Sequence, residues 1–204
     1  MRFYLILFLL FPGLPVLASD STFVSKWEQY KLGTFGGFGF NYLETGKEAI
    51  GLNLQGGLIY DQWLAAGIQG NAFFTINPLT DKYTNGDASL MGAYGGLFVA
   101  PNLWSNRLVH VSVPVFAGYG IVSYELYDVS DAANRIEDSN WFWAFEPGIE
   151  LEMNLMRFIR IAVGGYYRYC GKIQLNYENG GENIVPENIL NNFSVGIRLR
   201  FGKF

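Results

Sequence analysis

Cysteine is nearly absent. Cys170 stands alone among 204 residues, so no disulfide within the chain braces the fold. Histidine is as scarce, and one His110 with one Cys170 gives no ligand spacing for zinc. Charged residues make up 16% of the chain without forming a basic run or stripe. Fourteen Lys and Arg against eighteen Asp and Glu leave a formal charge of −4, which lacks the footprint of a nucleic-acid binder. After Leu17 no unbroken apolar run approaches the roughly 20 residues of a helical membrane span, although 50% of residues are hydrophobic. Apolar content that high needs either a large core or a surface that never meets water.

The first eighteen residues read as an address. Arg2 supplies a positive start, Phe3 to Leu10 form an apolar stretch, and Val16-Leu17-Ala18 make a small-residue cleavage site. Pro12, Gly13 and Pro15 interrupt the run before it reaches a membrane-spanning length. Residues 1–18 are therefore predicted to be a signal peptide, with no nearby Cys to carry a lipid anchor. Residues 19–204 then form one domain, of charge −5 once Arg2 is lost. Residues 19–32 are a lead-in that is either a short turn or a strand.

What is present is alternation. Eight stretches switch between apolar and polar or small residues with the two-residue period of a strand, at 34–43, 49–60, 63–75, 88–99, 107–124, 141–152, 157–175 and 192–203. Asp61-Gln62, Ala100 to Asn106 and Met153 to Met156 are short connections. Glu44 to Glu48, Ile76 to Asp87, Glu125 to Asn140 and Asn176 to Asn191 are mostly longer and rich in Asn, Asp, Gly and Glu. Strict alternation of the two kinds predicts an all-β, eight-stranded antiparallel up-and-down barrel crossing an outer membrane. Its short turns and both chain ends would be periplasmic. Aromatics at 17% suit girdles at the two interfaces. Pro114 predicts a bulge or ladder break in the fifth segment.

The two faces differ sharply in chemistry. Trp141, Trp143, Phe145, Ile149 and Leu151 alternate with Ala144, Glu146, Gly148, Glu150 and Glu152. Ile159, Ile161 and Val163 alternate with Arg160 and Ala162, and Arg168 follows further along. Val195, Ile197, Leu199 and Phe201 alternate with Gly196, Arg198, Arg200 and Gly202. With polar faces inward, Glu146, Glu150, Glu152, Arg160, Arg168, Arg198 and Arg200 share one narrow lumen as a structural charge network. Eight strands leave room for little beyond side chains, so a plug is expected, with a proton path or ion conduit as the competing reading. A turn centred near residue 155 would set Glu150 opposite Arg160. A soluble lipocalin-like barrel would invert these faces, with apolar side chains inside.

Candidate chemistry is thin. His110 and Ser112 share a strand face at a spacing similar to the His/Ser pair of an outer-membrane lipid A deacylase, but no carboxylate has an evident place to orient the ring. No catalytic, cofactor or metal residues are assigned. Asp81, Asp87, Asp128, Asp131, Glu137 and Asp138 occupy predicted external loops, suited to solvation or to the divalent ions that bridge lipopolysaccharide. Asn85-Gly86 and Asn179-Gly180-Gly181 are turn formers, because no helix follows to present its N-terminus to a phosphate. Phenylalanine at period two makes Phe35 to Phe40 a packed strand, not a nucleotide loop. Cys170 is expected to be a small apolar filler.

Glu146 to Glu152 followed by Arg157-Phe158-Ile159-Arg160 resembles the penultimate hairpin of the small outer-membrane β-barrel proteins of OmpA, OmpX and OmpW type. Gly196 to Phe204 resembles their C-terminal, assembly-read strand. Phe204 departs from the pattern, being out of phase with the lipid-facing set that ends at Phe201. The resemblance implies an integral outer-membrane protein whose partners are lipid, lipopolysaccharide and, during insertion, the barrel-assembly machinery. Structural, adhesive and narrow-transport roles all occur among such barrels, as do a few enzymes. The reading taken is a non-enzymatic barrel for envelope integrity or loop-mediated binding, with an OmpW-like transporter of small apolar molecules as the alternative.

Overall fold

The computed structural model describes residues 32–76, 88–128, 133–156, 158–176, 183 and 185–204. The expected signal peptide, all of the expected lead-in at 19–32 but Leu32, Asp81, Asp87, Asn85-Gly86, Asp131 and Asn179 to Gly181 lie outside them. Among the described residues nine strands follow in order: β1 (Leu32–Glu44), β2 (Glu48–Tyr60), β3 (Leu64–Thr75), β4 (Ala88–Leu103), β5 (Val109–Ser112), β6 (Val115–Asp128), β7 (Ala133–Met156), β8 (Ile159–Cys170) and β9 (Asn192–Gly202). Each pairs antiparallel with its sequence neighbours, except that β5 and β6 lie end to end between β4 and β7 as one stave. β9 returns to β1 from Phe35↔Gly202 to Leu43↔Ser194. The sheet is thus a closed ring of eight staves, which leaves no strand edge bare to lipid.

The break between β5 and β6 falls at Val113-Pro114, because proline has no N–H to give the ladder. The neighbours cross the interruption. Val113 N donates to Pro101 O at 2.9 Å and Gly148 N donates to Pro114 O at 2.8 Å. The wall is hydrogen-bonded on both sides of the proline, not parted into a lateral gap.

Side-chain alternation sets the faces. Leu54, Ile68, Leu97, Trp141, Ile149, Leu151, Val163, Val195 and Ile197 stand exposed on the outside. Asn53, Gln55, Gln69, Glu150, Arg168 and Arg198 are buried within. Water would penalise that arrangement and lipid rewards it, so the inverted, lipocalin-like option is overturned. Tyr60, Trp63, Trp104 and Phe158 ring the short-turn end, while Tyr42, Phe74, Tyr169 and Phe193 lie towards the other, as interfacial girdles do.

Turn chemistry explains the short connections. Tyr60 to Trp63 closes with Trp63 N donating to Tyr60 O at 3.1 Å. Its two central residues, Asp61 and Gln62, have φ of 45° and 62°, the type I′ signs that follow the twist of a hairpin. Trp104 also takes a positive φ, 58°, in the next short turn.

Four expectations need correction. The third short connection runs between Met156 and Ile159, not at Met153 to Met156, because β7 keeps pairing through Asn154↔Arg160 and Met156↔Ile159. Glu150 therefore sits opposite Gly164, not Arg160. The sixth stave starts at Ala133 instead of 141, since β6 and β7 continue as a hairpin through the span read as a loop. The seventh stave stops at Cys170, where residues 171–175 leave the sheet.

Candidate functional site: the charged lumen

All seven charged residues assigned to the lumen are interior, with exposures between 1% and 5%. They lie on three consecutive strands, because every second residue of β7, β8 and β9 points inward and the register brings those positions level. Around Glu146, Arg168 Nε donates at 3.1 Å and Tyr94 Oη at 2.8 Å, both to Oε2. The Arg168 guanidinium also lies 4.6 Å from the Tyr94 ring centre. Around Glu150, Tyr166 Oη donates to Oε1 at 2.7 Å and Arg200 Nη2 to Oε2 at 2.7 Å. Arg198 Nη1 approaches Oε1 at 2.8 Å as an ion pair without hydrogen-bond alignment, its guanidinium 4.2 Å from the Tyr166 ring centre.

Glu152 is the most heavily shared carboxylate. Arg200 Nη1 donates to its Oε1. Its Oε2 lies 3.1 Å from His110 Nε2 and 3.7 Å from Arg160 Nη1. Arg160 thus belongs with Glu152, two residues from the partner anticipated for it, because the hairpin centre shifts. Phe204, out of phase with the lipid-facing set, turns to the inner side, with Arg160 4.0 Å above its ring and Phe35 at 6.2 Å between ring centres.

Two features escaped the sequence reading. The first is Glu152 as the partner of His110. The two face each other across β5 and β7, a pairing visible only once the Pro114 break fixes the register of β5. Ser112 is fully enclosed and its Oγ has no hydrogen-bond partner, so it is not bonded to His110. The second is an apolar layer at the long-loop end. Ile173, Leu175, Val185, Ile189 and Leu190, from the connection after β8, are buried with Leu43, Leu90, Val122, Tyr124 and Phe142. Branched apolar residues inside a segment otherwise rich in Asn and Glu were the available signal.

Backbone and amide bonds hold that connection in place. Ile173 N donates to Glu187 O at 3.1 Å. Asn183 accepts from Leu175 N at 3.0 Å, and Asn191 accepts from Cys170 N at 2.6 Å. β7 grips it from the side, with Asp138 accepting from Asn176 N at 2.8 Å and Asn140 donating to Gln174 O at 3.0 Å. On the surface Lys172 Nζ lies 2.6 Å from Glu187, whose hydrogen bond and charge raise the ammonium's pKa. Cys170 is buried in the same apolar layer. Among the described residues no three His, Cys, Asp or Glu side chains gather as a metal site.

A closed ring of eight staves, greasy outside and ionic within, defines the fold of a transmembrane β-barrel of the outer-membrane type. No family model matches the chain, and no curated protein matches it in sequence. Among solved structures it is similar to Neisserial surface protein A, with TM-score 0.52 and 10% identity over 85% of this chain and 97% of that one. It is also similar to a major outer membrane protein of Thermus thermophilus, with TM-score 0.53 and 13% identity over 83% of this chain and 99% of that one. At such identities the likeness is one of fold, and the fold alone does not decide activity.

Proposed function

We propose that the chain is an integral, non-enzymatic outer-membrane barrel whose lumen is a structural plug. Its short turns face the periplasm and its long connections face outward for envelope integrity or binding. The observation that carries this reading is the filling of the interior at every level. The apolar layer occupies the long-loop end, Glu146 with Arg168 and Tyr94 the middle, and the Glu150, Glu152, Arg198 and Arg200 cluster the short-turn end. The void enclosed by Phe35, Phe98, Glu152, Arg160 and Arg200 measures about 10 Å³, roughly the space of one water.

A transporter of small apolar molecules needs a chamber or a lateral exit. The bridged Pro114 break and the occupied upper lumen favour neither. Hydrolysis at His110 is disfavoured because Ser112 Oγ makes no hydrogen bond to the ring and both His110 and Ser112 are enclosed. The partners in this reading are lipid and lipopolysaccharide around the apolar wall, and the assembly machinery at β9.

The β6–β7 hairpin is the best-placed element for external contacts. β8 ends opposite Ala144, so the β7 residues from Ala133 to Trp143 continue past the last β8 pair. Planar-bilayer recording on refolded protein tests the plug: silence is expected, and stable single-channel openings from the wild type overturn it.

A further inference from the structure

Four guanidiniums but only three carboxylates are buried among the described lumen residues: Arg160, Arg168, Arg198 and Arg200 against Glu146, Glu150 and Glu152. Even with His110 neutral, one positive charge is left without a counter-charge, which is costly in a low-dielectric interior. The deficit falls on Arg160. Arg168, Arg198 and Arg200 each reach a carboxylate oxygen at hydrogen-bonding distance or less. Arg160 comes only to 3.7 Å from Glu152 Oε2, an oxygen already facing His110. Its Nε has no partner although the residue is 3% exposed, and its guanidinium lies over the Phe204 ring, which accepts no conventional hydrogen bond.

Arg160 also marks a boundary. Towards the interior it borders the void of about 10 Å³. Towards the short-turn mouth it lines a cavity of about 520 Å³ with Gln62, Asn154, Met156, Lys203 and Phe204. That volume lies in the range of small-molecule sites. Its lining side chains supply two cations, two amides and no carboxylate. A guanidinium edge matches a two-oxygen acceptor.

We propose that this mouth binds a small oxyanion, a carboxylate or a phosphate group. It enters from outside the barrel, accepts hydrogen bonds from Arg160 and is held by Lys203. The ligand stops at Arg160, because the space beyond is too small to admit it. The site stands on the geometry of the mouth and does not depend on whether the lumen conducts.

Calorimetry on the refolded chain in zwitterionic detergent at low ionic strength tests it. The probes are N-acetyl-Ala-Ala with a free carboxylate, its C-terminal amide, and inorganic phosphate. Saturable binding of the acid or of phosphate, none of the amide, and weakening with added salt are expected. Preference between acid and phosphate identifies the source of the oxyanion. Arg160→Gln should weaken binding at least about ten-fold and Lys203→Gln several-fold, with folding of both verified by gel mobility before and after boiling. If Arg160→Gln fails to fold, the exposed Lys203→Gln decides by loss or retention of affinity. Absence of oxyanion binding to the wild type, equal binding of the amide, or unchanged affinity in the folded variants overturns the proposal.

Discussion

Glu150 accepts from Tyr166 and Arg200 and pairs with Arg198, all inside the barrel. Replacing it with leucine strips Arg198 of its carboxylate and leaves Arg200 with Glu152 alone, and breaking a buried pair from one side costs about 3–5 kcal/mol. Glu150→Leu should therefore lower the thermal midpoint read from gel mobility well below that of wild type, whereas a wild-type melt would show that the cluster contributes nothing to stability. Glycine gives a second residue-scale comparison. A Cβ at Gly70 meets nothing within 4 Å, but one at Gly96 lands 2.1 Å from Ala117 O on the neighbouring strand. Gly70→Ala is expected to fold as wild type does. Gly96→Ala should reduce the folded fraction, because backbone and not a flexible side chain stands in the way. These inward and outward assignments were legible at the residue scale, since a strand fixes which face each side chain takes. The ionic partners were not. Their identity hangs on register, and a hairpin centred at residue 157 in place of 155 moves Arg160 from Glu150 to Glu152.

Elements were legible where the period is strict and illegible where it fades. β1, β2, β3 and β9 lie within a few residues of their expected limits. β7 runs for 24 residues, over twice the roughly 9–11 that a membrane strand requires. Its outer part carries Asn134, Arg135, Glu137 and Asp138, which read as loop by composition; cross-strand pairing with β6 overrides that bias. The connection after β8 shows the opposite failure. Its turn-forming residues hide an apolar core segment that is buried with residues of β1, β4, β6 and β7. Leu190→Ala in that segment should cost about 2–5 kcal/mol, as for other buried leucines. Leu190→Asp should do more, loosening the layer and making the connection sensitive to added protease at concentrations that leave wild type intact. Equal digestion of both proteins would show that the layer does not anchor the connection.

At the scale of the whole molecule, the apolar exterior dictates behaviour before any ligand is considered. The chain should partition with membranes, require detergent for extraction, and shift on gels when boiled, because the ring is stable only while every ladder is closed. Release into osmotic shock fluid would contradict an exterior bearing Leu54, Ile68, Leu97 and Trp141. Architecture was the most legible level. Eight alternating stretches with connections of two lengths leave few closed arrangements other than this one. The division of the interior into an apolar upper layer and an ionic lower one was not legible, because alternation tells only that a residue points inward and not at what height its neighbours meet it.

The seam between β1 and β9 brings the two ends of the described chain side by side, with Lys203 N donating to Thr34 O at 2.9 Å. Which hairpin carries the chain break is therefore topologically arbitrary. A rearranged gene that joins the end of β9 to the start of β1 by a short linker, and opens the chain between β7 and β8 instead, retains every strand pairing of the original. Such a permutant offers a means of moving the terminal strand from β9 to β7 while the finished molecule stays the same.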